Sequence, residues 1–362
     1  ESLSPGQVFE RDQYHVPALP AEFSNGSFLL EITLTDSLGV SGFYIRPPAP
    51  PPYDPPPYSD ETTFEEVEVS VGEDPWTLPG TLTLPAGEGP VPVVVLVHGS
   101  GPNDRDETIG GSRPFKDLAW GLATAGVAVL RYDKRTRAHS ATVPSDIGLD
   151  EEVIDDALAA LDLARNHSAT DDQRVFLLGH SLGGMLAPEV ATRDGGLAGI
   201  AVLAAPARPF FQVLLGQLDY IAGLVGPDDP SSEAQLDSLI SLVRAVESQS
   251  ISDEEVVLGA PPPYWREVAS VDPIVTAGSL RIPIMVLQGA RDYQSTVADF
   301  QRWVEALGDQ PNLTTRLYEN LNHLFIAGEG MATPEEYTVG AGHVAWEVVE
   351  DLARWVLSQG GS

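Results

Sequence analysis

The sequence of 362 residues contains no cysteine. Disulfide bonds, a thiolate nucleophile and a cysteine-ligated zinc site are therefore excluded, and cysteine usage leaves the redox compartment of the protein undetermined. Long hydrophobic runs are also missing, since no apolar stretch approaches the roughly 18 residues that a membrane-spanning helix needs. We therefore expect a chain that folds without cross-links and without a membrane span.

Basic residues are scarce: 20 Lys and Arg stand against 53 Asp and Glu, which gives a formal net charge of −33. Lysine occurs only as Lys116 and Lys134. Nucleic-acid binding requires a basic surface, so this balance excludes nucleic acid as a partner. The acidic excess is typical of proteins from salty habitats and of proteins selected for solubility, and the sequence does not separate the two.

The printed sequence begins at Glu1 rather than at Met, and no apolar signal segment stands at its start. From this we expect a secreted protein whose export signal has been removed or left out. The oligomeric state cannot be read from the sequence.

A run of proline divides the chain into unequal parts. Eight of the eleven residues from 47 to 57 are Pro, and such a segment favours an extended, semi-rigid spacer. We predict a small N-terminal β-rich element over 1–46, with strands at 28–35 and 40–46, and a linker or surface strap over 47–60. A docking site for a proline-binding partner is the alternative for 47–60.

From residue 61 onward predicted strands alternate with predicted helices, a pattern typical of an α/β protein with a mostly parallel sheet and helices on both faces. This alternation stops over 206–275, where helical segments at 209–225 and 231–247 predict an inserted cap. The catalytic domain is then predicted to consist of residues 61–205 and 276–362. The predicted strands lie at 64–71, 76–84, 91–97, 127–132, 175–178, 199–204, 282–287 and 313–318, and the predicted helices at 114–125, 149–165, 295–307 and 343–357.

The segment Gly179-His180-Ser181-Leu182-Gly183 follows a predicted strand and precedes a predicted helix. In a strand-to-helix elbow of the form G-x-S-x-G, the glycines permit a tight turn that presents the serine hydroxyl. A serine that only caps the following helix is the alternative. We predict that Ser181 is a nucleophile.

A nucleophilic serine needs an imidazole to take its proton and an acidic group to orient that imidazole. His323 follows a predicted strand at the sheet edge where reacting groups of this architecture gather. His343 is its rival, but it opens a helix, and a helix N-terminus disfavours a protonated imidazole. For the acid we predict Asp292, which preserves the chain order Ser, Asp, His, with Asp299 inside the next helix as the alternative.

The charge that develops on a substrate carbonyl oxygen requires backbone amides placed in advance. We predict that one is the amide of Leu182, directly after the nucleophile, and that the other is that of Ser100 or Gly101 in the loop HGSGPNDRDE. Residues 104–106 of the same loop either form local ion pairs or border the substrate pocket.

Taken in order, these motifs resemble those of the α/β-hydrolases, and within them bacterial carboxylesterases that carry HGSGP, a DRDE-like run and GHSLGG. The resemblance covers roughly residues 64–358. It rests on five segments: HGSGPNDRDE (98–107), RYDKR (131–135), GHSLGG (179–184), GARD (289–292) and NHLF (322–325).

The resemblance implies an α/β-hydrolase fold with a helical cap over the site at 206–275. It implies a metal-independent esterase for short acyl chains that acts on a small-molecule ester and uses no cofactor. The functional residues that it implies are a triad of Ser181, Asp292 and His323 and oxyanion amides from Ser100 and Leu182.

Two other functions compete with ester hydrolysis through an acyl-enzyme. A peptidase or amidase similar to prolyl oligopeptidase would use the same triad, although no pocket for an N-terminal amine is evident, and a non-catalytic binding module could share the scaffold. Substrate-binding residues are not readable, because the cap aromatics either line an acyl or aryl pocket or pack the core of the cap. These aromatics are Phe210, Phe211, Tyr220, Tyr264 and Trp265.

Overall fold

The computed structural model describes residues 2–3, 7–11, 14–23, 26–35, 37, 39–46, 52–87, 89–225, 230–338 and 340–359. The chain forms two compact units, Glu1–Pro52 and Tyr53–Ser362. Residues 53–60 of the predicted linker therefore belong to the larger unit. Residues 47–51 of that linker and 226–229 of the predicted cap lie outside the described residues.

An antiparallel sheet makes up the described part of the smaller unit. Its strands are β1 (Ser2–Leu3), β2 (Gln7–Arg11), β3 (Tyr14–Phe23), β4 (Gly26–Thr35) and β5 (Val40–Arg46). Strand β3 pairs with β1, β2 and β4, and β4 pairs with β5. The sequence predicts only β4 and β5, because Pro17 and Pro20 interrupt the apolar alternation of β3.

The larger unit is built on an eight-stranded sheet with the order β13-β12-β11-β10-β8-β9-β7-β6. Strands β6 and β7 are antiparallel to their neighbours, and the other six run parallel. The predicted mostly parallel α/β sheet is confirmed. The strands are β6 (Phe64–Val71), β7 (Leu78–Pro85), β8 (Val91–Val97), β9 (Ala128–Tyr132), β10 (Thr170–His180), β11 (Gly199–Leu203), β12 (Ile284–Gly289) and β13 (Leu313–Tyr318).

Helices cover both faces of this sheet, with α1 and α11 on one face and α3, α4 and α9 on the other. Their bounds are α1 (Pro114–Thr124), α2 (Arg135–Ala138), α3 (Asp155–Asn166), α4 (Leu182–Asp194), α5 (Phe210–Leu224), α6 (Pro230–Glu247), α7 (Pro262–Ser270), α8 (Pro273–Ser279), α9 (Val297–Leu307), α10 (Glu335–Thr338) and α11 (Trp346–Ser358). The central strands are apolar on both sides because both faces are covered in this way.

Several predicted helices differ from the observed ones at their ends. The predicted helix at 149–165 is a π-helical turn, Asp150–Ile154, followed by α3. Helix α8 crosses the predicted end of the cap at residue 275 and packs against α4 of the catalytic body. The division into two compact units falls at Pro52 and does not separate residues 206–275 from the catalytic body. The cap as a domain of its own therefore stays a prediction.

The tyrosines of the proline-rich segment are anchored on the larger unit. The hydroxyl of Tyr53 donates to Oδ1 of Asp117 at 2.7 Å, and that of Tyr58 donates to the carbonyl of Val344 at 2.7 Å. Residues 53–58 therefore lie as a strap on α1 and on the entry to α11.

Candidate active site

Ser181 stands at the turn between β10 and α4, with φ 52° and ψ −116°. This is a left-handed conformation that non-glycine residues rarely adopt, and the close packing around the turn maintains it. A Cβ on Gly179 would lie 2.2 Å from the carbonyl oxygen of Gly183, and one on Gly183 would lie 2.3 Å from that of Val97. The two glycines are thus required by close backbone approach, as a strand-to-helix elbow demands.

His323 lies in the loop after β13 and is held by a buried carboxylate. Its Nδ1 is 2.7 Å from Oδ2 of Asp292. Oδ1 of Asp292 accepts the backbone amides of Gln294 at 2.7 Å and Ser295 at 3.0 Å. Oδ2 also accepts the side-chain amide of Gln288 at 3.0 Å. Since an ionised carboxylate only accepts, Nδ1 of His323 carries the proton, and its Nε2 is left for other chemistry.

The rival residues from the sequence occupy other places. His343 lies three residues before α11 and does not open the helix as the sequence predicts; its Nδ1 is 3.1 Å from Oδ1 of Asp117, beside the strap. Asp299 completes a capping box with Thr296 at the N-terminus of α9 and also accepts the guanidinium of Arg208 at 2.8 Å. His343 and Asp299 therefore both have structural partners, and neither lines the cavity that contains Ser181.

Ser181 and His323 line one cavity of about 230 Å³. Ser100 and Leu182 line it too, whereas Gly101 does not. Leu182 is the first residue of α4, so its amide has no acceptor within the helix. The apolar wall is formed by Ile109, Leu182, Met185, Pro206, Phe210, Val213, Leu214 and Trp265.

The cap aromatics divide between the two roles that the sequence leaves open. Phe210 and Trp265 line the cavity and stack with ring centroids 5.7 Å apart. Phe211 is buried in the core of the cap, Tyr220 stacks on Tyr293, and Tyr264 donates to a buried carboxylate. The helical phase decides this division, because neighbouring positions face different sides of a helix.

The charged run at 104–106 forms local structure. Arg105 binds Asp133 at 3.1 Å, and Asp106 pairs with the buried Arg131. None of the three residues lines the cavity, so the ion-pair alternative describes this run.

A buried pair that the sequence does not reveal lies next to Ser181. Glu107, the last residue of the DRDE run, accepts the amide of Gly99 at 2.8 Å and lies 3.0 Å from Nδ1 of His180. Nε2 of His180 is bonded to the backbone carbonyl of His323 at 2.9 Å. The pair therefore connects the loop of Ser100, the elbow and the loop of His323.

Burial disfavours the charged forms of Glu107 and His180, but the contacts that these side chains make with each other and with the backbone outweigh that effect. Burial alone would raise the pKa of Glu107, but His180 and the Gly99 amide lower it below its usual range. Burial alone would lower the pKa of His180, but Glu107 and the His323 carbonyl raise it. The directions indicate a charged pair.

Among the described residues, no group of three or more His, Asp or Glu could hold a metal ion. In the same part of the chain no helix is long and apolar enough to cross a membrane.

Comparison with known proteins places the chain in a family. Residues 89–329 match the family described as serine aminopeptidase, S33. Esterase EstD of Thermotoga maritima is 38% identical over 345 residues, which cover 95% of this chain and 80% of that protein. The chain therefore belongs to this family of α/β-hydrolases, which are serine hydrolases.

Solved structures share the fold at low sequence identity. Est1E of Butyrivibrio proteoclasticus has a TM-score of 0.55 at 16% identity, covering 82% of this chain and 99% of that one. An esterase of Pyrobaculum calidifontis has 0.54 at 15% identity, covering 82% and 87% of the two chains. At these identities the likeness confirms the α/β-hydrolase fold alone.

Proposed function

We propose that the protein is a serine carboxylesterase that hydrolyses short-chain acyl esters through an acyl-enzyme. Ser181 is the nucleophile, His323 the general base, and Asp292 the residue that orients the base. The observation that carries the proposal is one cavity lined by an elbow serine and by a histidine whose Nδ1 is bonded to a buried carboxylate. The similarity to an esterase along 95% of the chain supports it.

In this mechanism Oγ of Ser181 attacks the ester carbonyl carbon while Nε2 of His323 takes the hydroxyl proton. Asp292 keeps the imidazole in the required tautomer and stabilises the imidazolium. The amides of Ser100 and Leu182 stabilise the oxyanion. The intermediate then collapses to the acyl-enzyme, and the imidazolium protonates the leaving alcohol. In the second half, His323 deprotonates a water molecule, which attacks the carbonyl carbon of the acyl-enzyme. The second intermediate collapses, His323 returns the proton to Oγ of Ser181, and the carboxylic acid leaves.

The cavity fits a small uncharged ester. Its wall is mainly aliphatic and aromatic, and about 230 Å³ suits a short acyl chain with a small alcohol. The stacked Phe210 and Trp265 form the wall of the cavity on the side of the cap. We expect turnover to fall as the acyl chain outgrows this space.

A peptidase is the second candidate, favoured by the description of the family as serine aminopeptidase. Recognition of a free N-terminal amine requires an available carboxylate near the scissile bond. Glu107 is the one carboxylate among the described residues that line the cavity, and it already accepts the Gly99 amide and faces His180 at 3.0 Å. This arrangement favours the esterase.

The test is release of p-nitrophenol from acetate, butyrate, octanoate and palmitate esters by wild type and Ser181→Ala, with a chelator present and an aminoacyl p-nitroanilide alongside. Chelator-resistant activity on the short esters that falls about 10⁶-fold in the variant supports the proposal. Activity that survives Ser181→Ala refutes the mechanism. Turnover of the anilide alone selects the peptidase, and silence on every substrate selects the binding module.

Secretion stays a prediction of the sequence. Recovery of the protein from the culture medium of cells that express the full-length gene would support it. Retention of all activity inside those cells would refute it.

A further inference from the structure

The RYDKR segment at 131–135 has no part in the mechanism above, yet it places a buried lysine against the oxyanion loop. Lys134 is 2% exposed. Its Nζ lies 2.9 Å from Oε1 of Glu152, itself 5% exposed, and donates to the carbonyl oxygen of Gly99 at 3.1 Å. The cation therefore has one carboxylate partner and one peptide partner.

The carbonyl that Lys134 binds belongs to the peptide group that carries the amide of Ser100. The C=O and the N–H of a trans peptide point in opposite directions. With its oxygen held by the buried Lys134, this peptide directs the Ser100 N–H away from the interior, on the side of the cavity that Ser100 lines. Asn103 donates a second hydrogen bond to the same oxygen at 3.2 Å.

We propose that Lys134 is a positioning residue for the oxyanion hole, an inference that rests on the proposed esterase function. Its ammonium fixes the plane of the Gly99–Ser100 peptide and polarises it, so that the Ser100 N–H is a stronger donor to the oxyanion. A charge-assisted hydrogen bond on the carbonyl strengthens the bond made by the N–H of the same peptide, because linked hydrogen bonds polarise one another.

The same ion pair reaches the cap. The hydroxyl of Tyr264 on α7 donates to Oε2 of Glu152 at 2.6 Å, and the next residue, Trp265, lines the cavity. Each oxygen of Glu152 thus has one partner, a cap tyrosine on one side and Lys134 on the other. The contacts form a continuous path from the cap to the Ser100 peptide.

A purely structural ion pair would lower stability when it is removed and would leave turnover per folded molecule unchanged. A positioning role acts on the tetrahedral intermediate, so it lowers kcat while KM changes little. It also weakens inhibitors that form an oxyanion with the nucleophile. These two readouts separate the roles.

The experiment compares Lys134→Met/Glu152→Gln with Glu152→Gln, because the shared Glu152→Gln substitution avoids leaving an unpaired buried carboxylate. We measure kcat and KM on p-nitrophenyl butyrate, Ki for an alkyl trifluoromethyl ketone, and the unfolding temperature. Loss of an entire oxyanion donor costs about 10² to 10³ in rate, so misplacing one should lower kcat about 10- to 100-fold. KM should stay within about threefold, and the ketone should bind weaker by a factor similar to the loss in kcat/KM.

The neighbouring buried pair is the matched control. Nε of Arg135 donates to Asp156 at 3.1 Å, and the pair does not touch Gly99. Arg135→Met/Asp156→Asn, compared with Asp156→Asn, should lower the unfolding temperature and leave kcat and the ketone Ki within about twofold of each other. An equal fall in kcat for the two pairs would overturn the positioning role.

If Lys134→Met/Glu152→Gln does not fold, Lys134→Gln/Glu152→Gln is the second variant, because an uncharged amide replaces the ammonium and no lone carboxylate is left buried. We expect kcat to fall about 3- to 10-fold, with matching loss of ketone affinity, as part of the cost of one donor. Unchanged kcat and Ki in a folded variant would refute the inference. Wild-type silence on esters would instead refute the proposed function, which keeps the two failures distinct.

Discussion

Two histidine–carboxylate pairs lie side by side next to Ser181. Asp292 and His323 are 2.7 Å apart, Glu107 and His180 are 3.0 Å apart, and the imidazole centroids are separated by 4.7 Å. All four side chains are buried. Both imidazoles line the cavity, and the pairs differ at Nε2: that of His180 is bonded to the backbone carbonyl of His323, whereas in the described part of the chain Nε2 of His323 has no hydrogen-bond partner.

This difference shows that a histidine–carboxylate pair is not by itself a catalytic unit. The imidazole of His180, with one nitrogen bonded to a backbone carbonyl and the other 3.0 Å from a buried carboxylate, has no nitrogen left to exchange a proton with a substrate, and it serves to join the segments that it contacts. An imidazole bonded at one nitrogen is oriented and keeps the other for chemistry. We therefore propose that His323 transfers the proton and that His180 positions the surrounding loops.

His323→Ala should give the largest effect in the comparison. Without a base to accept the Ser181 proton, kcat on p-nitrophenyl butyrate should fall about 10⁵- to 10⁶-fold. The unfolding temperature, measured on the same preparation, shows whether the variant is folded. A folded variant that keeps more than about one hundredth of wild-type kcat would assign the base elsewhere.

Asp292→Asn should cost about 10⁴-fold in kcat, because an amide no longer fixes the Nδ1–H tautomer of His323 or stabilises its protonated form. Asp299→Asn is the matched control, since that carboxylate caps α9 and binds Arg208. The control should lose stability and keep kcat within about threefold. Similar losses of kcat in the two variants would contradict the assigned roles.

Glu107→Gln should lower kcat about tenfold, less than the loss of one oxyanion donor, because the Gly99 amide keeps an acceptor while the His180 contact weakens. KM should stay within about threefold. A fall as large as that of Asp292→Asn would remove the distinction between the two pairs, and an unchanged kcat would restrict Glu107 to stability.

We also expect the stability difference between wild type and Glu107→Gln to depend on pH. The lowered pKa of Glu107 gives stability that is present above its unfolded value of about 4.3 and is lost as pH falls through the folded value. The raised pKa of His180 gives stability that is present below about 6.5 and is lost as pH rises through the folded value. The unfolding-temperature difference between wild type and Glu107→Gln should therefore be largest between about pH 4.3 and 6.5. A difference independent of pH would contradict a charged pair.

The sequence predicts the placement of the candidate nucleophile, base and acid because local patterns determine it. Ser181 is fixed by glycines that permit a close turn, and Asp292 and His323 follow strands that end at one edge of the sheet. It does not predict the partners of Glu107 and Lys134. Glu107 reaches Gly99 only because the loop turns back on itself, and Lys134 meets Gly99 across 35 positions of the chain.

The cap shows a second limit. Periodicity indicates its helices, but which aromatic side chain reaches the cavity depends on how those helices pack on the body. Tyr264 and Trp265 are neighbours in sequence, and one binds Glu152 while the other lines the cavity. Local pattern carries no information about that tertiary arrangement.

A third histidine–carboxylate pair, His343 and Asp117, supplies the smallest expected effect. It lies outside the cavity, and Asp117 also accepts the amide of Val344 at 2.9 Å and the hydroxyl of Tyr53 at 2.7 Å. His343→Gln removes one of three partners, so the free energy of unfolding should fall by about 1 kcal/mol in urea denaturation, and kcat should stay within about twofold. A 100-fold loss of kcat in the folded variant would make His343 the base after all.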